Sequence, residues 1–183
     1  MSSNRREFIR NISIGAAGLT IGGMLAGFKP SSAGKPGAND KVNLACVGIG
    51  NQGATDIMAL YNTGLCNIVA LCDTDMGARH TERMMNQFPD AARFNDFRKM
   101  FDKMANQIDA VLIATPDHSH FPVTMLAMSL GKAVFVEKPL ARTFHEVELM
   151  MQAAKRYNVV TQMGNQGHSE ANYFQFNAWT EAG

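Results

Sequence analysis

Val42-Asn43-Leu44-Ala45-Cys46-Val47-Gly48-Ile49-Gly50-Asn51-Gln52-Gly53 is the stretch whose reading decides the fold. Its first six residues are near-continuously apolar, as a parallel strand covered on both faces requires. A Gly-x-Gly-x-x-Gly turn follows at once. Beyond it, Ile57, Leu60 and Tyr61 fall on one face and predict a helix over 54–62. Strand, glycine turn and helix in this order open a dinucleotide-binding unit when an acidic residue ends the next strand. Asp73, 25 positions after Gly48, closes the apolar run Val69-Ala70-Leu71-Cys72 and meets that condition.

Each residue of the turn has a physical task. Gly48 permits the tight bend, Gly50 lets a pyrophosphate approach with no Cβ in the way, and Gly53 lets helix and strand pack closely. Asn51 and Gln52 complete the turn, at a helix start whose unpaired N–H groups favour phosphate. The Asp73 carboxylate is placed to accept hydrogen bonds from the adenosine ribose hydroxyls. Its charge repels a 2'-phosphate, so NAD is expected in preference to NADP, although Arg79 nearby keeps NADP open.

Working outward, short apolar runs over 67–72, 92–94, 110–114, 133–136 and 159–163 read as further strands. Helical patterns separate them over 77–87, 97–105, 121–130 and 144–157. The last begins with Thr143-Phe144-His145-Glu146, a capping box, with Val147, Met150, Met151 and Ala154 expected as its inward stripe. Alternation of this kind predicts right-handed crossovers and an α/β, doubly wound parallel sheet of Rossmann type over 41–164. Residues 165–183, with one more helix over 171–182, are expected to begin a second, substrate-binding domain.

The start of the chain follows different rules. Asn4-Arg5-Arg6-Glu7-Phe8-Ile9 precedes an apolar run over 12–28 that contains five glycines, then Lys29-Pro30-Ser31-Ser32-Ala33. At 17 residues the run is shorter than the roughly 20 needed to span a bilayer. The pattern reads as a twin-arginine export signal over 1–33, cleaved after Ala33 or at Ala26, with a linker over 34–40 and a periplasmic destination. Without the four basic residues and one acid of that segment, the formal charge of +1 becomes −2. A nucleic-acid surface is not expected, nor a membrane span after cleavage. Cys46, Cys66 and Cys72 lie in or beside apolar runs and read as buried thiols. Asp117, His118 and His120 have a poor spacing for shared coordination, and no metal is expected.

Three stretches resemble the glucose-fructose oxidoreductase, inositol dehydrogenase and rhizopine-catabolism family. They are the glycine turn with Asp73; Ala114-Thr115-Pro116-Asp117-His118-Ser119-His120; and Gly131-Lys132-Ala133-Val134-Phe135-Val136-Glu137-Lys138-Pro139-Leu140. The resemblance covers residues 40 to 165. It implies an NAD-dependent oxidoreductase acting on a sugar or cyclitol, with Thr115, Pro116, His120 and Glu137 on the cofactor side. Lys138 is expected to position a sugar hydroxyl and stabilise the developing alkoxide. A catalytic histidine and aspartate in the second domain would take the proton, and a homo-oligomer stays open for a full-length protein.

Gly-Asn-Gln-Gly returns at Gly164-Asn165-Gln166-Gly167, followed by His168 and Ser169. Its flanks do not align with the first copy, so a shared turn chemistry explains it better than duplication. This stretch is similar to that of an exported subgroup that includes NAD-dependent α-N-acetylgalactosaminidases, which makes His168 a candidate catalytic residue and glycoside cleavage the alternative activity. A nucleotide-binding fragment without catalysis is the third reading.

Overall fold

A computed structural model of the chain describes residues 41–168 and 171–183. The expected export signal and linker lie outside the described residues. The described chain runs β1 (Val42–Val47), α1 (Asn51–Asn62), β2 (Cys66–Cys72), α2 (Arg79–Gln87), β3 (Ala92–Phe94), α3 (Phe97–Met104), β4 (Ala110–Ile113), α4 (Asp117–Ser129), β5 (Ala133–Glu137), α5 (Phe144–Tyr157), β6 (Thr161–Gly164) and α6 (Ala171–Ala182). All six strands are parallel, in the order β3-β2-β1-β4-β5-β6. The order reverses between β1 and β4, which leaves a crevice above the carboxyl ends of those strands.

Alternation along β1 builds a core on each face. Ala45 and Val47 pack with Val111, Ile113 and Val136 under α3, α4 and α5. Leu44 and Cys46 face the other way, with Leu71, Leu112, Ile57 of α1 and Met84 of α2. Register keeps the strand ends level: Val47 pairs with Cys72 and with Ile113, Ile113 with Val136, and Val136 with Met163. The glycine turn, Asp73, Thr115 and Lys138 therefore leave the sheet along one edge. The three cysteines are free and buried, and burial pushes the Cys72 thiol up to about 12.

Several boundaries move for local reasons. α1 begins at Asn51 and not at residue 54, because the helix opens inside the glycine turn. α4 begins at Asp117, four residues ahead of the expected start, with extended Pro116 before it and Pro122 carried within. Pro122 removes one ladder bond, to the His118 carbonyl, which a 13-residue helix tolerates. β6 starts at Thr161 because Asn158, at a left-handed φ of 50°, ends α5, and the Val159 N–H still bonds back to Ala154. The Thr143–Glu146 capping box forms as expected. On α5 Met150 and Ala153 are buried, while Met151 is 58% exposed and so is not part of the inward stripe. Among the described residues no helix is long and apolar enough to cross a membrane.

Candidate functional site

The turn after β1 is held by backbone contacts that exclude side chains. Gly48 has φ +81°, and a Cβ there would lie 2.8 Å from the Thr115 nitrogen and against the Ala114 carbonyl. A Cβ on Gly53 would meet the Gly48 carbonyl oxygen, so α1 can close on the end of β1 only with glycine at this position. Gly50 precedes α1 in an extended conformation, with no side-chain cap and no acid in the first turn. The first N–H groups of a 12-residue helix are thus left for an anion. Asn51 follows at a φ of 44°, a region asparagine enters more readily than most residues.

Asp73 does two things at once. Its Oδ2 accepts from the Ile49 N–H at 3.0 Å, which braces the glycine turn, and its Oδ1 accepts from the Asp75 N–H at 3.0 Å. Each oxygen keeps a further lone pair for a ribose hydroxyl.

A cleft of 610 Å³ opens above these groups, a size suited to a small organic ligand. Six of the residues named from sequence line it: Gly48, Gly50, Asn51, Asp73, Thr115 and Pro116. The opposite wall, not expected from sequence, is formed by Asn95, Asp96, Phe97 and Arg98 at the start of α3, and His80 at the start of α2. His80 fills the direction a Gly50 side chain would take. Arg98 is paired with Asp96 at 3.3 Å and lies 4.4 Å over the Phe97 ring. The Arg98 backbone N–H, which donates to the capping Asp96 carboxylate, keeps that carboxyl below the usual range. No local periodicity marks these residues, because β3 is only three residues long and its place beside β2 comes from the sheet.

The remaining named residues lie off the cleft wall. His120 is 1% exposed, and its ring bridges two strand ends: Nε2 lies 2.7 Å from the Thr115 carbonyl and Nδ1 2.7 Å from the Pro139 carbonyl. It underpins the cleft as a strut between the ends of β4 and β5, whereas His118 lines the cleft itself. Glu137 is buried, Gln52 turns its amide towards Asp56, and Gln166 donates to Glu137. Lys138 is exposed just beyond the end of β5. His168 is exposed in the short helical turn after β6, with its ring 5.1 Å from that of Tyr173 on α6. Lys138 and His168 share the carboxyl edge of the sheet but are not in contact through any described hydrogen bond.

Residues 42–165 match the family described as the oxidoreductase family with an NAD-binding Rossmann fold, GFO_IDH_MocA. The chain belongs to that family. Among solved structures, a dehydrogenase from Chromobacterium violaceum is 31% identical with a TM-score of 0.68, over 78% of this chain and 41% of that one. The myo-inositol 2-dehydrogenase of Lactobacillus plantarum is 27% identical with a TM-score of 0.69, over 79% and 42%. A glycosyl hydrolase family 109 protein of Shewanella pealeana is 27% identical over 85% of this chain and 38% of its own length. An alpha-N-acetylgalactosaminidase of Shewanella oneidensis is also 27% identical, over 84% and 37%. The chain thus spans about two fifths of the length of these relatives.

As the NAD-binding domain of a GFO_IDH_MocA oxidoreductase, the chain has residues that fit the cofactor. Glycines packed on backbone hold the turn, the uncapped start of α1 would face a diphosphate, and the Asp73 carboxylate ends β2 where a ribose would be held.

Proposed function

We propose that this chain carries the cofactor half of an exported NAD-dependent oxidoreductase that acts on a sugar, cyclitol or glycoside. The observation that carries the proposal is the double use of Asp73, which braces the glycine turn through Ile49 and ends the strand where a ribose would be held. The bound nicotinamide supplies the hydride acceptor. The chain's own residues do the rest. The first N–H groups of α1 bind the diphosphate, and Asp73 takes the ribose hydroxyls and disfavours a 2'-phosphate. Lys138, on the edge just past β5, orients a substrate hydroxyl and offsets the charge that develops on its oxygen as hydride leaves the carbon.

The substrate class rests on the relatives, which include an inositol dehydrogenase and an alpha-N-acetylgalactosaminidase. The matches named for glycosyl hydrolase family 109 favour a second reading: oxidation of a sugar carbon, elimination of the aglycone, addition of water and return of the hydride. In that cycle His168 belongs to the substrate side. Export agrees with it, because a cofactor loaded in the cytosol and regenerated at every turnover needs no outside supply. Full-length protein incubated with aryl glycosides and trace NAD separates the readings. Aglycone release without net NADH marks the glycosidase, and stoichiometric NADH with a free sugar or cyclitol marks the dehydrogenase. Arg5→Lys with Arg6→Lys should hold the protein in the cytoplasm on cell fractionation. Unchanged periplasmic recovery would rule out the twin-arginine route.

A further inference from the structure

The two Gly-Asn-Gln-Gly stretches meet at one buried polar site between α1 and β5. Gln52 Nε2, from the first, donates to Asp56 Oδ1 at 2.8 Å, and Gln166 Nε2, from the second, donates to Glu137 Oε1. Glu137 Oε2 accepts from the Lys138 N–H at 3.3 Å. Asp56 is 8% exposed and Glu137 4%. The edge is packed down on this site, since a side chain on Gly164 would come within 2.7 Å of the Glu137 carboxyl carbon.

Three donors therefore serve four carboxyl oxygens. The fourth, Asp56 Oδ2, is buried with no hydrogen-bond donor, and the group that faces Asp56 is the Glu137 carboxyl. No lysine or arginine forms an ion pair with either acid among the described residues. Gln52 and Gln166 are neutral groups beside Asp56. Two buried carboxylates side by side repel, and an acceptor left without a donor loses its hydration, whereas one proton held between them relieves both.

We propose that Asp56 and Glu137 form a proton-sharing carboxyl pair that ties the cofactor turn of α1 to the Glu-Lys-Pro strand end. Asp56 is the positioning residue, acting on the Lys138 backbone through Glu137. Only the step from Lys138 placement to turnover rests on the function proposed above.

Burial pushes the Asp56 carboxyl up to about 6, and the charge of Glu137 adds to this against the hydrogen bond from Gln52. A carboxyl raised on folding binds its proton more tightly in the native state. The stability it confers is complete below the ordinary carboxylate value of about 4 and is lost as pH rises through about 6. Asp56→Asn places an amide donor beside Glu137 at every pH, so the variant should gain on the wild type as pH rises.

The test uses the chain without cofactor. Thermal unfolding of wild type and Asp56→Asn is followed from pH 4.5 to 8, and carboxyl carbon and amide nitrogen NMR resonances are titrated over the same range. The Tm difference should move by about 4 °C or more in favour of the variant between pH 5 and 7.5. One wild-type carboxyl resonance should titrate near 6, and the Lys138 amide should shift with the same midpoint. Parallel unfolding curves, or wild-type carboxyl resonances that all titrate below 5 with a static Lys138 amide, would overturn the pair. The wild-type resonances decide the matter even if the variant fails to fold. Binding of ADP-ribose, measured separately, tests the cofactor reading and is independent of these outcomes.

Discussion

The Ile49 N–H donates to Asp73 Oδ2 at 3.0 Å, so the acid that ends β2 also fixes the turn that ends β1. Replacement of Asp73 therefore has two effects. Asp73→Ala is expected to weaken NAD binding about tenfold or more and also to lower Tm, since hydrogen bonds to a charged partner contribute roughly 1.5–3 kcal/mol. Asp73→Arg should move preference towards NADP while lowering affinity for both cofactors, because the brace on Ile49 is lost. Titration calorimetry with NAD and NADP checks both, and an unchanged ratio of the two affinities would contradict the assignment.

Gly53→Ala places a methyl group against the Gly48 carbonyl, which is backbone and cannot rotate aside. An overpacking cost of about 1–3 kcal/mol is expected, together with loss of dinucleotide affinity as α1 moves away from β1. Gly167→Ala is the matched control, since a Cβ there meets nothing within 4 Å. Urea unfolding of the pair should show a reduced midpoint for the first and little change for the second.

His120→Phe keeps an aromatic ring, somewhat larger than imidazole, but removes the ring nitrogens that contact the Thr115 and Pro139 carbonyls. The neutral imidazole donates to one of the two carbonyls according to its tautomer, and losing that hydrogen bond should cost about 1 kcal/mol of stability. Because the strut joins the ends of β4 and β5, amide NMR shifts in the variant should extend to Lys138. Changes confined to α4 would show that the strut does not reach that edge.

Lys138→Ala removes an exposed side chain from the end of β5 and none of the cofactor turn. NAD affinity of the variant should stay within about twofold of wild type. Turnover by the full-length protein should fall at least a hundredfold, the scale of losing one donor to a developing oxyanion. Comparable loss of affinity and turnover would place the lysine in the cofactor site instead.

The central part of the fold was legible because its signals are local. A continuous apolar strand, three glycines and an acid at the next strand end can each be read along the chain, and the Thr143–Glu146 capping box forms as its residues predict. The starts of α1 and α4 were missed because glycine and proline usually break helices. Here Gly53 sits inside a helix for the sake of its neighbours, and Pro122 costs one bond in an otherwise intact ladder. The i, i+3, i+4, i+7 stripe from Val147 places Met151 inward, but burial of Met150 and Ala153 shifts the buried face and turns Met151 out. Asn95 to Arg98 and His80 could not be assigned to the cleft from sequence, since their place depends on β3 joining β2 and on the start of α2 lying against Gly50. The repeated tetrapeptide was legible as two turns, but the meeting of Gln52 with Asp56 and of Gln166 with Glu137 depends on where the start of α1, packed on β1, β2 and β4, and the carboxyl end of β5 come to lie.

The central claim for the chain is a diphosphate held at the uncapped start of α1. Titration of uniformly nitrogen-15-labelled protein with ADP-ribose tests this directly through the backbone amides. The Asn51, Gln52 and Gly53 amides are expected to show the largest shifts, with Ile49 and Asp75 following as the Asp73 carboxylate takes the ribose. Saturating ADP-ribose that leaves those amides unmoved, or whose shifts centre on another part of the sheet, would contradict it.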